Sequence, residues 1–309
     1  MSTFAAYTHA GRVKPVNQDA YCFKEAATPA GPVLFGAICD GVGGLAKGEL
    51  ASATVVRRCG EWFDGVLPAL VRRQGWEDGV RSSLNELLLN ANRDIYAHGK
   101  QAGKPCGTTI TAIVAYQGRY LVAHVGDCRA YEVASGAATQ LTKDQTLVQQ
   151  QVDNGLITPE QARNHPKRNV ILQSVGTQSS LQPVYTEGAW RTDALYVLCC
   201  DGFYNRLDEG ELGLAFNSGD LSDEAALRQR CAAVVQSVMD RGEKDNVTVL
   251  AFGADGVLGD GGPTTSVPSA ADEDALSTML IAEDDFATVL VGSEDDAPTI
   301  VVPQGGEPR

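Results

Sequence analysis

Residues 33–44 read VLFGAICDGVGG, a buried strand that runs directly into an acidic, glycine-rich turn. The first seven residues are apolar or glycine, as expected for a strand that is buried on both faces. Asp40 follows at the strand end, and Gly41 beside it lets the backbone approach an ion or a phosphate closely. A carboxylate in this position is costly unless it is paired or bound to a metal. The stretch therefore predicts an ion-binding carboxylate at the edge of a sheet.

Four further aspartates lie beside or near strand-like apolar runs: Asp19, Asp127, Asp201 and Asp245. Any one of them alone is more simply explained as a turn or capping residue. Five in one chain favour a shared site, because two or three hard cations would satisfy several carboxylates at once. Magnesium and manganese prefer such oxygen ligands, so the pattern predicts a cluster of aspartates around divalent cations.

The rest of the pattern places these aspartates in one domain of mixed strands and helices, residues 1–253. Apolar runs predict strands at 33–40, 108–116, 119–125, 194–200 and 247–252. Amphipathic runs predict helices at 48–63, 79–99 and 222–241. Residues 145–182 are polar, and a helix start at Thr158 has Pro159 in its first turn and Gln161 in a capping box. We interpret this polar segment as a surface subdomain over the main body.

Charge and composition exclude several functional classes. The net charge is −14; residues 254–309 hold twelve acids and one arginine, or −11, which leaves −3 for residues 1–253. Neither part has the basic surface of a nucleic-acid binder. No apolar stretch reaches the roughly 18 residues of a membrane span, and the N-terminus lacks signal-peptide features, so we expect a cytoplasmic protein. Eight cysteines without a Cys-x-x-Cys pair predict buried thiols rather than disulfides or a zinc site.

The motifs around the aspartates form an ordered set that spans residues 1–253. In chain order they are Gly11-Arg12 with Asn17-Gln18-Asp19, Asp40-Gly41-Val42-Gly43-Gly44 with Gly48-Glu49 and Ala51-Ser52, Gly107-Thr108-Thr109, Val125-Gly126-Asp127-Cys128-Arg129-Ala130-Tyr131, Leu141-Thr142-Lys143-Asp144, His165-Pro166-Lys167-Arg168-Asn169, Cys200-Asp201-Gly202 and Lys244-Asp245-Asn246-Val247-Thr248. The set resembles the metal-dependent protein phosphatases, the type 2C (PPM) serine/threonine phosphatases, in their bacterial form. One such motif is a weak signal, whereas the whole set in register is specific.

The resemblance implies an α+β fold in which two antiparallel β-sheets pack as a sandwich, flanked by helices on both outer faces (αββα). It also implies that residues 145–182 form a flap at the active site. Two or three Mn²⁺ or Mg²⁺ ions are implied as cofactors. By resemblance, Asp40 bridges two metals, Asp201 and Asp245 complete one of them, and the carbonyl of Gly41 contributes to the other. Asp127, together with Asp201, resembles the pair that binds a third metal.

Two further residues have implied roles in the reaction. Asp19 resembles a residue that orients a metal-bound water, and Arg12 resembles the arginine that grips the substrate phosphate. A hydroxide between two metals attacks phosphorus, so no cysteine or serine nucleophile is needed. Some family members carry a histidine after Asp-Gly as general acid, whereas Val42 stands there in this sequence. We interpret His124 as a core residue and His165 as structural, and a metal-bound water is left to protonate the leaving group.

The acidic tail, residues 254–309, contains a loose repeat of an acidic triplet, a threonine and three apolar residues. The repeated threonines are Thr278, Thr288 and Thr299. We expect this segment to be disordered, because it is acidic and broken by glycine and proline. It is either a solubilising tail, or a set of phosphosites read by a forkhead-associated domain, or short strands that add to the sheet edge of a partner.

The function predicted from these residues is hydrolysis of phosphoserine and phosphothreonine in proteins, opposing a cognate bacterial serine/threonine kinase. Phosphoproteins are the expected substrates. The alternative is a catalytically weak phosphoprotein-binding scaffold that acts through its acidic tail. Retention of Asp40, Asp201 and Asp245 favours the enzyme, because a pure binder has no need of all three.

Overall fold

The computed structural model of the chain describes residues 2–42, 47–216 and 223–254. Gly43 and Gly44 of the glycine-rich turn lie outside these residues. So does the tail from residue 255 onward, with Thr278, Thr288 and Thr299. The expectations stated for those positions stay predictions.

The described residues form two antiparallel sheets of five strands each. The strands are β1 (Ser2–His9), β2 (Ala20–Thr28), β3 (Gly31–Cys39), β4 (Ile110–Tyr116), β5 (Arg119–Val125), β6 (Arg129–Ala134), β7 (Ala137–Gln140), β8 (Val184–Ala189), β9 (Leu195–Cys199) and β10 (Val247–Ala254). One sheet has the order β1-β10-β9-β6-β7 and the other has the order β2-β3-β4-β5-β8. The chain therefore alternates between the two sheets and joins its first and last strands in one of them.

The two sheets pack face to face through aromatic and aliphatic side chains. Phe4 of β1 stacks on Phe23 of β2 with ring centroids 4.6 Å apart, and Phe23 in turn contacts Phe252 of β10 at 5.1 Å. Side chains of β3 alternate between the two faces, so that Leu34 points into this central layer and Phe35 into the layer beneath the helices. This double burial confirms the apolar run from which the strand was predicted.

Helices cover both outer faces of the sandwich, as the resemblance implied. They are α1 (Gly48–Gly65), α2 (Leu67–Val71), α3 (Trp76–Ala102), α4 (Leu147–Asp153), α5 (Pro159–Arg163), α6 (Asp201–Tyr204), α7 (Glu209–Ala215) and α8 (Glu224–Asp240). α1 and α3 pack on the sheet that contains β3, and α8 packs on the sheet that contains β10. The apolar face predicted for α3 consists of Val80, Leu84, Leu87, Leu88, Ala91 and Ile95, and all of them are buried except Leu87, which is half-buried. The αββα fold class is confirmed.

Five strands were not predicted from the sequence: β1, β2, β6, β7 and β8. β7 and β8 alternate between exposed and half-buried positions, so they carry little apolar signal. β1 and β2 mix buried and half-buried residues and include polar side chains that lie at the ends of the sandwich. Tertiary packing, rather than local composition, makes these segments extended.

The polar segment 145–182 contains α4 and α5 and lies between β7 and β8 in the chain. Thr158 begins α5 with the predicted capping box: its hydroxyl accepts from the Gln161 amide at 3.2 Å, and Gln161 Oε1 accepts from the Thr158 amide at 2.8 Å. The isolated bridge Thr108–Val175 attaches the segment to the body, and the bridge Thr146–Ile171 joins two parts of the segment itself. α5 buries none of its residues, which agrees with a surface subdomain.

All eight cysteines are buried free thiols, which confirms the packing role predicted for them. Within the described ranges, no helix combines the length and the hydropathy that crossing a membrane would require.

Candidate metal centre

Strand register places Asp19 and Asp40 side by side at one end of the sandwich. Ala20, the first residue of β2, pairs with Cys39, the last residue of β3. Asp19 and Asp40 are the next residues beyond this pair, one before β2 and one after β3. The antiparallel hairpin therefore brings together two carboxylates that are separated by 21 positions in the sequence (40 − 19).

The second sheet brings three more carboxylates to the same end. Cys199, the last residue of β9, pairs with the first residue of β6 on one side and with β10 near its start on the other. The turn before β6, the turn after β9 and the loop before β10 consequently meet, and they carry Asp127, Asp201 and Asp245. The charges of all three, and that of Asp19, act on Asp40. The five predicted aspartates thus form one cluster.

The backbone of Asp40 is fixed by two threonines at the start of β4. The Asp40 amide donates to Thr109 Oγ1 at 3.0 Å. The Asp40 carbonyl accepts from the Thr109 amide at 2.8 Å and from Thr108 Oγ1 at 2.8 Å. These contacts immobilise the main chain of Asp40 and leave its carboxylate to the cluster.

A directed chain of hydrogen bonds holds Asp19. Asn17 Nδ2 donates to Thr8 Oγ1 at 2.8 Å, the Thr8 and Thr248 hydroxyls lie 2.7 Å apart, and Thr248 Oγ1 donates to Asp19 Oδ2 at 2.5 Å. Because an amide nitrogen can only donate and an ionised carboxylate can only accept, the direction is set from Asn17 to Asp19. The chain pins Oδ2 of Asp19 and leaves Oδ1 as a buried oxygen without a hydrogen-bond partner among the described residues.

Asn246 ties the loop before β10 to the loop before β2. Its Nδ2 donates to the carbonyls of Ala10 and Val16 at 2.9 and 3.1 Å, and its Oδ1 accepts from the Gln18 amide at 2.9 Å. Asn246 is 4% exposed, so these bonds are shielded from water. They fix the position of Asp19 relative to Asp245.

Two glycines permit the backbone segments of the cluster to touch. A Cβ on Gly202 would lie 2.0 Å from the Asn246 carbonyl oxygen, and one on Gly41 would lie 2.7 Å from the Gln18 carbonyl oxygen. Any side chain at either position would push an aspartate-bearing segment away from its neighbour. The glycine of each Asp-Gly pair is thus required by contact between backbones, in addition to the approach of an ion that the sequence suggested.

Four carboxylates of the acidic cluster have raised pKa values: Asp19, Asp40, Asp127 and Asp201. Burial, followed by the charges of Asp201 and Asp245, raises the pKa of Asp19 to about 7. Burial, followed by the charges of Asp245 and Glu243, raises the pKa of Asp201 to about 6. The pKa values of Asp40 and Asp127 lie well above the usual range, again from burial first and neighbouring carboxylates second. Each of these four carboxylates therefore lacks sufficient positive charge nearby to offset its desolvation.

These residues fit a group of divalent cations. Ligand atoms of Asp19, Asp40 and Cys200 lie within 4.8 Å of one another. Asp19 Oδ1 is buried without a hydrogen-bond partner in the described part of the chain, as expected for an oxygen directed at an ion or at its water. Carboxylate oxygens dominate the donor set, which suits Mg²⁺ and Mn²⁺ better than zinc.

Cys200 is unsuited to act as a nucleophile, although Cys200 and Arg206 have the Cys-x5-Arg spacing of cysteine-dependent phosphatases. Its sulfur accepts from the Thr248 amide at 3.1 Å and lies 3.5 Å from the Asn246 carbonyl oxygen. The side chain is fully buried, and burial raises the pKa of the thiol well above its usual value. Thiolate chemistry needs the opposite environment.

Two basic residues, Arg12 and Lys14, lie in the loop before Asp19. Arg12 is about half exposed, and its Nη2 lies 2.6 Å from Asp240 Oδ1 at the end of α8. Lys14 is the basic side chain directed at the cluster, with Nζ 2.6 Å from Asp245 Oδ1. Burial lowers the pKa of Lys14, but its hydrogen bond to Asp245 and the charges of Asp245, Asp40 and Asp201 raise it overall. The assignment of phosphate binding to Arg12 stays a prediction, and Lys14 is a second candidate for that role.

Neither candidate histidine is suited to protonate a leaving group. His124 Nδ1 lies 2.9 Å from the Thr111 hydroxyl, and burial lowers the pKa of this imidazole to about 4. His165 Nδ1 accepts from the Lys167 amide at 3.1 Å, which fixes a turn. Both observations agree with the structural roles expected from the sequence.

A polar cavity of about 580 Å³ leads from the cluster to the flap. Asp127 and Asp201 lie in its wall, together with residues of α4, α5 and α7. Arg129 crosses it as a bidentate partner of Asp144, at 2.9 and 2.7 Å, and stacks 3.7 Å over the Tyr204 ring. Tyr204 in turn donates to the Asp127 carbonyl at 3.0 Å. This network joins the base of the flap to a predicted metal ligand.

The functional residues that the sequence analysis missed are Lys14, Thr8, Asn246 and Thr248. Asn246 and Thr248 lie in a motif that was identified, but their partners come from loops more than 200 positions away. Lys14 shows no local signal that distinguishes it from Arg12. Only the folded contacts reveal these roles.

The fold and the acidic cluster agree with an independent family match. The model for protein phosphatase 2C matches residues 8–251. The chain belongs to the protein phosphatase 2C family. Its match to the serine/threonine protein phosphatase PstP of Mycobacterium tuberculosis is 31% identical over 277 residues and covers 89% of this chain and 49% of PstP. The chain thus spans about half the length of that relative.

Solved structures of serine/threonine phosphatases share the fold. Serine/threonine phosphatase Stp1 of Staphylococcus aureus superposes with a TM-score of 0.71 at 25% identity, covering 83% of this chain and 96% of Stp1. The catalytic domain of serine threonine protein phosphatase PstP, solved in complex with two manganese ions, superposes with a TM-score of 0.65 at 28% identity. That comparison covers 82% of this chain and 97% of the PstP domain.

Proposed function

We propose that the chain is a metal-dependent protein serine/threonine phosphatase that hydrolyses phosphoserine and phosphothreonine in proteins. The convergence of five aspartates from both sheets at one end of the sandwich carries the proposal. Manganese is the metal favoured by comparison, since the PstP catalytic domain was solved with two manganese ions. Magnesium has the same preference for oxygen ligands.

The metal ligands we propose are Asp40, Asp201 and Asp245 for two central ions, with the Gly41 carbonyl as a further ligand. Asp127 and Asp201, which both line the cavity, would hold a third ion. This distribution accounts for the raised pKa values of Asp40, Asp127 and Asp201, because bound cations would favour the ionised carboxylates.

Two side chains act beside the ions. Divalent cations in such a cluster supply a water that ionises near neutral pH and offset the charge of the phosphate. Asp19 Oδ1, left free by the hydrogen-bond chain that ends at Oδ2, can accept a hydrogen bond from the attacking water. Lys14 places a positive charge at the edge of the cluster, where its ammonium group can release Asp245 and bind a phosphate oxygen of the substrate instead.

Hydrolysis of p-nitrophenyl phosphate and of a phosphothreonine peptide, with Mn²⁺ and with EDTA, tests the proposal. Mn²⁺-dependent turnover that Asp40→Asn abolishes is the expected result. Mn²⁺ titration calorimetry on the same variant should show weaker binding, and its melting temperature in EDTA should not fall, since one like charge leaves the cluster. Turnover in EDTA equal to that in Mn²⁺ would refute the proposal.

The alternative of a catalytically weak scaffold is not favoured, because the cluster retains all the predicted acidic ligands. The proposed organisation is a catalytic domain over residues 1–253 followed by an acidic tail. The proposed partners are a cognate serine/threonine kinase and, through phosphorylated Thr278, Thr288 or Thr299, a forkhead-associated domain protein. Apolar residues three positions after each threonine support that assignment. The proposed location is the cytoplasm.

A further inference from the structure

Two arginines of the flap lie in the cavity wall without a fixed role. Arg163 is the last residue of α5, Arg168 follows it in the next turn, and both are exposed. In the described part of the chain neither guanidinium has an ion-pair or hydrogen-bond partner. The other two arginines in the wall are committed, Arg129 to Asp144 and Arg206 to Glu243.

Charge is separated across the cavity. Arg163 and Arg168 lie on the flap side, whereas Asp208 and Glu209 lie on the side of α7. Asp208 is engaged in capping α7, where its Oδ1 accepts from the Glu211 amide at 2.7 Å. A peptide that carries carboxylates is therefore attracted to the flap side and repelled from the α7 side, which fixes its orientation in the cavity.

The tail of this chain has the matching pattern. Each acidic triplet is centred four or five residues before a threonine, as in Glu273 before Thr278. In an extended peptide that separation spans about 13–17 Å. A phosphothreonine at the aspartate cluster would thus place its acidic triplet further along the same cavity, toward the flap arginines.

The tail is also long enough to reach the cavity from the end of β10. Asp245 precedes β10 at the cluster, and Ala254 ends β10 at the opposite end of the sandwich, about 24–27 Å away for eight strand residues. Seventeen residues, 255–271, connect Ala254 to the first acidic triplet and can span up to about 60 Å. Because the tail is tethered to the domain, its effective concentration at the cavity is on the order of a millimolar, so that even a weak binding site is occupied.

We propose that Arg163 and Arg168 form a recognition site for the acidic residues that precede a phosphothreonine, and that the tail of this same chain occupies it. The inference rests on the proposed phosphatase function. In this arrangement the phosphorylated tail is an intramolecular substrate, and the acidic repeats compete with acidic phosphoproteins for the cavity.

The first experiment uses the full chain and a synthetic peptide that copies residues 271–281 with phosphate on Thr278. The double variant Arg163→Ala with Arg168→Ala should raise KM for this peptide by about 10-fold or more, from the loss of two charge-assisted contacts, with kcat retained. Turnover of p-nitrophenyl phosphate should not change, which separates failure of this inference from failure of the phosphatase function. The matched control is Arg72→Ala with Arg73→Ala, two exposed arginines just after α2. An equal KM change in both double variants, or in neither, would overturn the recognition site.

The second experiment tests the occupant. Replacing the nine triplet acids of the full chain by Asn and Gln should lower KM for the added peptide severalfold, because the internal competitor is weakened. The Arg163→Ala, Arg168→Ala background should abolish this effect. An unchanged KM in the neutralised tail overturns intramolecular docking. So does an effect that depends on protein concentration, since it assigns the occupant to the tail of a second copy.

Discussion

The hydroxyl of Thr248 offers the sharpest test of how the fold prepares Asp19. Thr248→Val keeps the shape of the side chain but removes the donor to Asp19 Oδ2, at 2.5 Å, and the partner of Thr8, at 2.7 Å. Thr248 is fully buried, so water does not replace the lost bond. A hydrogen bond to a charged group contributes about 1.5–3 kcal/mol, which corresponds to about 10- to 150-fold in an equilibrium constant.

We expect this loss to appear in metal activation. The Mn²⁺ concentration for half-maximal hydrolysis of p-nitrophenyl phosphate should rise by about 10-fold or more in Thr248→Val, because Asp19 is no longer held with Oδ1 toward the cluster. Thr248→Ser keeps the hydroxyl and should restore activation close to that of the original chain.

Thr111→Val provides the structural control. Thr111 is also a buried strand threonine, with partners His124 and the Cys128 carbonyl instead of Asp19. It should lower the melting temperature without a comparable shift in metal activation. If Thr248→Val and Thr248→Ser required the same Mn²⁺ concentration, or if Thr111→Val shifted it equally, the hydrogen-bond chain would not position Asp19.

Three further predictions concern the cluster. In EDTA, the free energy of unfolding should fall as pH rises from about 4 to about 7. Folding raises the pKa of Asp19 from 3.8 to about 7 and that of Asp201 from 3.8 to about 6. Between these pH values the folded state therefore binds more protons than the unfolded state, so that raising the pH favours unfolding. Mn²⁺ should flatten this slope in thermal melts, and a flat profile in EDTA would contradict the raised pKa values. Gly202→Ala should cost about 1–3 kcal/mol in urea unfolding and reduce turnover, because its Cβ would meet the Asn246 carbonyl; unaltered stability would refute the contact. Lys14→Met should lower kcat/KM for a phosphopeptide by about 10-fold or more, and an unchanged value would refute its role; the same measurement on Arg12→Ala tests the phosphate-binding role predicted for Arg12.

Much of the cluster could be predicted because its signal is local. Asp40 and Asp201 each follow an apolar run directly and precede a glycine, so strand burial and the turn are visible within ten residues. The same holds for the stripe of α3 and for the capping box at Thr158, since helical periodicity and capping depend on neighbours in sequence. Strand burial, helical periodicity and capping would be the same in any fold that buries these apolar segments.

The contacts of Lys14 and Arg12 could not be predicted from local sequence patterns. Both are basic residues in the loop before Asp19, and their ion-pair partners, Asp240 for Arg12 and Asp245 for Lys14, depend on the route of that loop. Asn246 fixes this route by binding the carbonyls of Ala10 and Val16. The contact partners are more than 200 positions apart, so no local pattern could reveal them.

The sequence alone determined that this protein has buried strands ending in carboxylates, an amphipathic helical layer and an acidic tail. These properties depend on residues that are close together in the sequence. Tertiary structure alone decided which side chains meet at those strand ends. Antiparallel register brings Asp19 beside Asp40, and the Asn246 contacts set the loop that places Lys14 beside Asp245. Register and loop route depend on pairing between distant segments, so they are fixed only when the two sheets close on each other.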